Sequence, residues 1–270
     1  MPYKRLIFIL LHDSGKFVLS RNFRLQRVGD LNWLIKNYNF STISYSIDEL
    51  IVLDVTRQNR SIQSFSNILK AVIDNVFVPV CAGGGIESID DARVLLNSGA
   101  DKIVVNSLLY TDDKKIMELS KNFGRQCIVA SIDFKLNDNG VYEVFYKNGQ
   151  LSAGISLSEA IKKAINSGAG EILINSMDRD GTGYGYALEV LDGIDFEMEV
   201  PLIISGGAGK AEHLIEGLKN EMIDAVATAN LLNFIGNGLP LARKKIIESG
   251  VELAHWNSDE FEKLKQLREK

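Results

Sequence analysis

The chain has 270 residues, 46% hydrophobic and 24% charged, which is typical of a globular protein and excludes disordered, collagen-like and coiled-coil classes. A formal net charge of -5 provides no basic stripe for a phosphodiester backbone, so nucleic-acid binding is disfavoured. Because no apolar run approaches the roughly 20 residues that a bilayer requires, and Cys81 and Cys127 lie in apolar runs, we expect a cytoplasmic protein with reduced thiols and no membrane contact.

Short apolar runs typical of strands alternate with segments of helical spacing, such as the one that places Ile62, Phe65 and Leu69 on one face. Most of these strands are apolar throughout, as expected where helices cover both faces of a parallel sheet. The predicted strands are 5–11, 50–54, 78–81, 102–105, 126–133, 171–175, 201–205 and 225–228. Eight strands in 270 residues predict one (β/α)8 TIM barrel over residues 1–250. An open dinucleotide-binding sheet is disfavoured, because no GxGxxG follows the first strand.

Segment 135–151 interrupts the alternation of strands and helices. Asn139-Gly140 and Asn148-Gly149 are turn signals that flank an alternating run at 141–146, so we predict a hairpin after the fifth strand. Residues 251–270 are expected to form a charged, peripheral tail.

Landmarks in the two halves of the chain recur at nearly one separation, between 122 and 124 positions. The pairs are the glycine runs that begin at Gly83 and Gly206, Asp54 with Asp178, and Leu11 with Asp133. Three such pairs predict two similar half-barrels related by an internal two-fold repeat.

Active sites of such barrels lie at the carboxyl ends of the strands. Glycine there permits a positive φ and a close approach of backbone N–H groups to a ligand. A single glycine-rich turn is more often only a tight connection, but two on opposite sides of one mouth favour a bis-phosphorylated ligand. The predicted ligand-binding residues are Gly83, Gly84, Gly85, Asn106, Ser107, Gly181, Thr182, Gly206 and Gly207. The scattered histidines lack metal-site spacing, so we predict no metal and no cofactor.

Six runs resemble the cyclase subunit of imidazole glycerol phosphate synthase. They are LDVT (53–56), GGGIESIDDA (83–92), GADKIVVNS (99–107), SIDFK (131–135), GAGEILINSMDRDGT (168–182) and SGGAG (205–209). The resemblance implies a glutaminase partner at the base of the barrel, ammonia passing along the axis, and a bis-phosphorylated substrate at the top. It also implies that Asp178 and Asp180, in the intact run 177–182, help to bind an anion.

The resemblance fails where the chemistry would occur. The family has one catalytic Asp at the end of strand one and another at the end of strand five; Asp133 matches the second, but the first position holds Leu11. A leucine cannot exchange a proton, and general acid–base help contributes typically 10²–10⁴-fold. Asp13 is a weak substitute, because it is expected in the loop. Leu19 and Ala187 replace two further polar substrate contacts.

The opposite end of the barrel keeps the family pattern. In the family, four charged residues ring the base and gate the entry of ammonia, and they match Arg5, Glu49, Lys102 and Glu171. Asp101 matches the contact for a glutaminase lysine. One such charge at a strand start is ordinarily solvated, but four at matching positions indicate a retained gate.

This combination resembles a paralogous branch associated with sugar amidotransferases, in which Leu replaces the first Asp; here residues 9–12 read ILLH and 174–177 read INSM. The resemblance implies partnership with a class I glutaminase and a sugar amidotransferase that forms an acetamidino group on a surface glycan. Two alternatives stay open: an imidazole glycerol phosphate cyclase of histidine biosynthesis, and a non-catalytic barrel that binds a phosphosugar.

Overall fold

A computed structural model of the chain describes residues 3–38, 45–229 and 238–254. Within these ranges the strands are β1 Arg5–Asp13, β2 Lys16–Arg21, β3 Arg24–Gly29, β4 Glu49–Asp54, β5 Val80–Gly83, β6 Lys102–Val105, β7 Ile128–Leu136, β8 Tyr142–Tyr146, β9 Leu151–Ser156, β10 Glu171–Ser176, β11 Leu202–Ser205 and β12 Ala225–Thr228. The α-helices there are α1 Leu31–Tyr38, α2 Ile62–Ile73, α3 Ile89–Asn97, α4 Leu108–Thr111, α5 Asp113–Phe123, α6 Leu157–Asn166, α7 Ala211–Lys219 and α8 Gly238–Glu248.

Eight of these strands close into a parallel barrel in the order β1, β4, β5, β6, β7, β10, β11 and β12, with β12 pairing again with β1. The (β/α)8 TIM barrel is therefore confirmed. Every predicted barrel strand overlaps an observed one, with ends displaced by three residues or fewer. Asp13 was expected in the loop, and this was wrong, because it pairs with Lys16 and ends β1.

Two hairpins project from the mouth at equivalent places in the two halves. The first, β2–β3, follows β1 and was not predicted. The second, β8–β9, follows β7, begins within the predicted segment 135–151 and extends beyond it to Ser156. Asn22 and Phe23 turn the first hairpin with positive φ, and Lys147 and Asn148 do so in the second, 125 positions later. The hairpins extend the predicted repeat beyond the landmarks seen in the sequence.

The barrel wall separates two apolar layers because side chains alternate along each strand. Leu6 and Phe8 pack outward against the helices, whereas Ile7 and Ile9 point to the axis. The inner layer is a packed column rather than an open pore, as in other barrels of this kind. Among the described residues, no helix is long and apolar enough to cross a membrane. The predicted tail lies largely outside the described residues, from 255 onward.

A buried ion pair joins α8 to the loop before β4. The Arg243 guanidinium donates from Nη1 to Asp48 Oδ2 at 3.0 Å and from Nη2 to Oδ1 at 2.8 Å, and both side chains are less than a tenth exposed. Asp48 Oδ2 also accepts the backbone N–H of Leu6, in β1, at 2.8 Å. The pair therefore ties the last described helix to the first strand.

We predict that Arg243→Met lowers the free energy of unfolding by about 3–5 kcal/mol, because it leaves the Asp48 carboxylate buried and unpaired. Urea denaturation followed by circular dichroism measures the change. Lys244→Met is the matched control, since Lys244 lies on the same helix and is 72% exposed. Equal stability of the two variants would contradict the assignment.

Candidate functional site

A cavity of about 1000 Å³ opens at the carboxyl ends of the barrel strands. Its floor is apolar and formed by Ile9, Leu11, Leu53, Val104 and Leu173. The wall on β7 and β10 is polar, and the β2–β3 and β8–β9 hairpins contribute the residues nearest the solvent. The cavity has the size and the mixed lining of a small-molecule site.

Asp133 lies on the polar wall of this cavity, and two amides hold it. Asn175 Nδ2 donates to its Oδ1 at 2.9 Å, and Asn106 Nδ2 donates to its Oδ2 at 3.1 Å. Burial, together with the nearby charge of Asp180, raises the pKa of Asp133 to about 6 despite these hydrogen bonds. A carboxyl group with such a pKa is suited to general acid–base work near neutral pH.

The first-strand position opposite Asp133 is apolar, as predicted, since Leu11 lines the cavity. His12 faces the other side of the wall, where its ring lies 5.5 Å from that of Phe65. Its Nε2 accepts the Gly15 N–H at 3.0 Å, which leaves Nδ1 to carry the proton toward Asp54. Asp13 is not among the described residues that line the cavity, so this geometry provides no second carboxylate on β1.

Asp54 orders the loop that follows β4. Its Oδ1 accepts the Thr56 hydroxyl at 2.6 Å and the Thr56 N–H at 3.1 Å. Burial opposes ionisation, but the hydrogen bonds from His12 and Thr56 outweigh it and hold the pKa of Asp54 below its usual value. The Arg60 Nε lies 3.9 Å from Asp54 Oδ2 and has no hydrogen-bond partner in the described structure. Arg57 and Arg60 were not predicted from the sequence, yet they bring two cations to one loop that lines the cavity. Their position shortly after Asp54, at the end of a strand, was a signal that could have placed them there.

The predicted ligand-binding residues divide into two groups. Those that line the cavity are Gly84, Gly85, Asn106, Ser107 and Asp180. Those outside its described lining are Gly83, Asp178, Gly181, Thr182, Gly206 and Gly207. The loops after β5 and β6 therefore bring four of the predicted residues to the cavity, whereas Asp180 is the one predicted residue after β10 or β11 that lies in its described lining.

Packing between loops explains the glycines outside the cavity. Gly207 has a φ of +110°, and a Cβ there would lie 2.1 Å from the carbonyl oxygen of Gly185. A Cβ on Gly181 would lie 2.2 Å from Ser20 O, in the first hairpin. These residues let neighbouring backbones approach each other, which is a structural requirement distinct from the predicted ligand binding. Asp178 likewise accepts the Leu136 N–H at 2.9 Å and caps the end of β7.

The two hairpins meet over the mouth. A Cβ on Gly149, at the tip of the second hairpin, would lie 3.0 Å from the Phe23 ring at the tip of the first. Asp180 anchors the first hairpin, because its Oδ2 accepts the Ser20 hydroxyl at 2.5 Å and the Phe23 N–H at 3.0 Å. Burial raises the pKa of Asp180 above its usual value. The roof of the cavity is therefore built from both halves of the chain.

At the opposite, amino-terminal end, four charged side chains form a closed ring. Arg5 bonds to Glu49 at 2.7 Å and also to Glu171, while Lys102 Nζ bonds to Glu49 at 2.9 Å and to Glu171 at 2.8 Å. The two carboxylates are 3% and 5% exposed and the two cations about a quarter exposed. The four residues that the resemblance implied therefore face one another, with alternating sign, across the base of the barrel.

The charges of the ring stabilise one another against the loss of water. Burial alone would lower the pKa of Arg5 and of Lys102, yet the carboxylates of Glu49 and Glu171 raise both above their ordinary values. Such pairs persist in a buried position because each charge has two partners of opposite sign. Removing one cation leaves two carboxylates sharing the other.

Cys81 belongs to this cluster, a role that sequence reasoning missed. The thiol is fully buried, and its Sγ donates to Glu49 Oε1 at 2.6 Å, the same oxygen that Lys102 contacts. Burial and the Glu49 carboxylate raise the pKa of the Cys81 thiol well above its usual value. Side chains alternate between the two faces of a strand, and this alternation, which can be followed in the sequence, directs residue 81 to the barrel axis.

Asp101 lies in the turn before β6, at the same end as the ring. The residue is exposed, and its Oδ2 accepts the Val80 N–H at 2.8 Å. Among the described residues, no three or more His, Cys, Asp or Glu side chains are placed to hold a metal ion.

We predict that the free energy of unfolding of the wild type falls relative to that of Asp133→Asn by about 2–3 kcal/mol as the pH rises from 4 to 8. The wild-type carboxyl group has a pKa of about 6 when folded and about 3.9 when unfolded, so the folded state binds its proton more tightly and loses that advantage as pH rises. Urea denaturation at a series of pH values measures the difference. As a check, Asn175→Ala should raise the Asp133 pKa further in an NMR titration. An unchanged pKa would contradict the amide clamp, by which we mean the two hydrogen bonds from Asn175 and Asn106 to Asp133.

Comparison with known proteins gives two findings. Residues 19–236 match the family model described as "Histidine biosynthesis protein". The chain is also 46% identical over 257 residues, covering 95% of both chains, to the "Putative imidazole glycerol phosphate synthase subunit hisF2" of Parasynechococcus marenigrum (strain WH8102). On this similarity and on the closed barrel, the chain belongs to the histidine biosynthesis protein family.

Proposed function

We propose that this barrel receives ammonia from a class I glutaminase at its amino-terminal end and passes it along the axis to an acceptor. The acceptor is the N-acetyl group of a surface-polysaccharide sugar, which a sugar amidotransferase converts to an acetamidino group. The observation that carries the proposal is the closed ring of Arg5, Glu49, Lys102 and Glu171 beneath a barrel that lacks the first catalytic carboxylate.

The ring has the properties of a gate. Moving Lys102 aside breaks two ion pairs, but Glu49 then keeps its bonds to Arg5 and to the Cys81 thiol. The carboxylate therefore never becomes unpaired, which limits the free energy required to open a path beside it. Two buried carboxylates and two partly buried cations that served only the fold would be an expensive substitute for apolar packing of the same volume.

The column above the ring suits a small molecule. Its described residues are aliphatic side chains and one thiol, with no aromatic ring among them. On β12 the inward positions are Ala225 and Ala227, and Ala229 follows directly after the strand; these are the smallest side chains of the column. A molecule the size of ammonia needs only small displacements of the facing side chains to pass along this strand.

The cyclase alternative is supported by Asp133. Its amide clamp and its pKa of about 6 are those of a working acid or base, and the relative from Parasynechococcus is named as a synthase subunit. Leu11 opposes this alternative, because the reaction would proceed with one carboxylate where the family uses two. The third reading, a barrel that only binds a phosphosugar, needs the cavity but leaves the ring without a role.

We predict that the chain stimulates glutamine hydrolysis by the class I glutaminase of the same organism. Asp101→Asn should weaken the apparent affinity about tenfold, because a charge-assisted hydrogen bond contributes about 1.5–3 kcal/mol. The matched control is Asp90→Asn, an exposed carboxylate at the start of α3, on the opposite end of the barrel. Ammonia release against chain concentration is the measurement, and absence of any stimulation would favour the phosphosugar-binding reading.

We predict that cyclisation of the bis-phosphorylated ribulosyl aminoimidazole carboxamide, with ammonium salt at high pH, is at least about 100-fold slower than with an authentic cyclase. Leu11→Asp should increase this rate, because it restores a proton-exchanging group opposite Asp133. Leu53→Asp is the control, since Leu53 lines the same floor on the neighbouring strand. A wild-type rate within about tenfold of the authentic enzyme would favour the cyclase.

A further inference from the structure

The β2–β3 hairpin is strongly basic in a chain whose net charge is -5. It carries Lys16, Arg21, Arg24 and Arg27 and no carboxylate between residues 16 and 29. Lys16 pairs with Asp30 at 3.1 Å, but the three arginines form no ion pair within the described part of the chain. All three are exposed. This positive charge is not used by the ring, by the Asp133 clamp or by the fold.

The register of the hairpin places two of these cations against each other. Ser20 pairs with Leu25 and this pair faces inward, because Ser20 bonds to Asp180 and Leu25 lines the cavity. The next pair is Arg21 with Arg24, which therefore projects from the outer face. Like charges directly opposite each other destabilise a hairpin, and neither arginine forms an ion pair with an anion among the described residues. We refer to Arg21 and Arg24 as the basic tip.

The barrel holds the basic tip firmly at the rim of the mouth. The Asn22 N–H donates to Asp180 O at 2.9 Å, and Asn22 Nδ2 donates to Asp178 O at 2.9 Å. The Arg57 guanidinium donates to Phe23 O at 2.7 Å. The turn between the two arginines is thus fixed from both sides. Binding of a partner would therefore cost little further conformational entropy of the hairpin.

We propose that the basic tip docks an acidic surface of the sugar amidotransferase that takes ammonia from the mouth. This inference rests on the proposed function and adds to it the place where the acceptor enzyme binds. The tip is an exposed, outward-facing surface on a projecting hairpin, so a small anion bound there would remain largely in solvent. A protein surface with carboxylates supplies counter-charges and also covers the mouth. Electrostatic matching of this kind raises the association rate and sets the orientation.

The test is the affinity of the purified sugar amidotransferase of the same organism for this chain bound to its glutaminase. Arg21→Glu/Arg24→Glu should raise the dissociation constant at least tenfold at low ionic strength. The matched control is Lys121→Glu/Lys219→Glu, which changes the net charge equally at two exposed positions on α5 and α7. Arg21→Glu alone, which places an acid opposite Arg24, keeps the hairpin paired and should still weaken binding, while its melting temperature verifies folding.

The outcomes separate the two proposals. Selective weakening by the tip variants, with stimulation of glutaminase unchanged, supports the docking surface. Equal affinity of tip and control variants overturns it and leaves ammonia transfer intact. If inorganic pyrophosphate binds the wild type and not the tip variants, while the amidotransferase binds both, the tip is a small-anion site. A wild-type chain that stimulates glutaminase but does not bind the amidotransferase overturns the acceptor step of the proposed function and the docking surface with it.

Discussion

The charge ring at the base depends on exact alternation of sign around a closed barrel. Arg5, Glu49, Lys102 and Glu171 come from four different strands, and each contacts two neighbours of opposite charge. Ions removed from water are stable only with such partners. The ring therefore requires the correct strand order and register, and the same barrel positions Cys81 within the column and Asp133 above it.

The two ends of the barrel follow different physical rules. At the base, polar groups satisfy one another completely, and a single thiol supplements the ion pairs. At the mouth, polar groups are shared between loops and an open cavity, so Asp178 and Asp180 hold backbone while Asn106 and Asn175 hold Asp133. Loops at strand ends commonly combine such structural and functional roles.

The sequence was sufficient for the barrel, because buried parallel strands read as continuous apolar runs and helices keep a 3.6-residue period. It was insufficient for the first hairpin, whose turn at Asn22 and Phe23 contains no glycine although both residues have positive φ. Gly206 and Gly207 were predicted to bind phosphate, and this stays a prediction; the structure adds that both let neighbouring loops approach closely. A sequence does not distinguish a nest for an anion from such a close approach. The partners of Cys81 and Asp178 depend on tertiary contacts between distant strands, which no local pattern records.

The three alanines that face the axis along β12 and directly after it have a chemical consequence of their own. Methyl groups offer no hydrogen bonds, so any solute that crosses this stretch gives up its hydration there without replacement. That loss is small for a neutral base and prohibitive for a cation such as ammonium. Along the ammonia path that we propose, this wall would favour the unprotonated molecule, which keeps its lone pair free to act as a nucleophile.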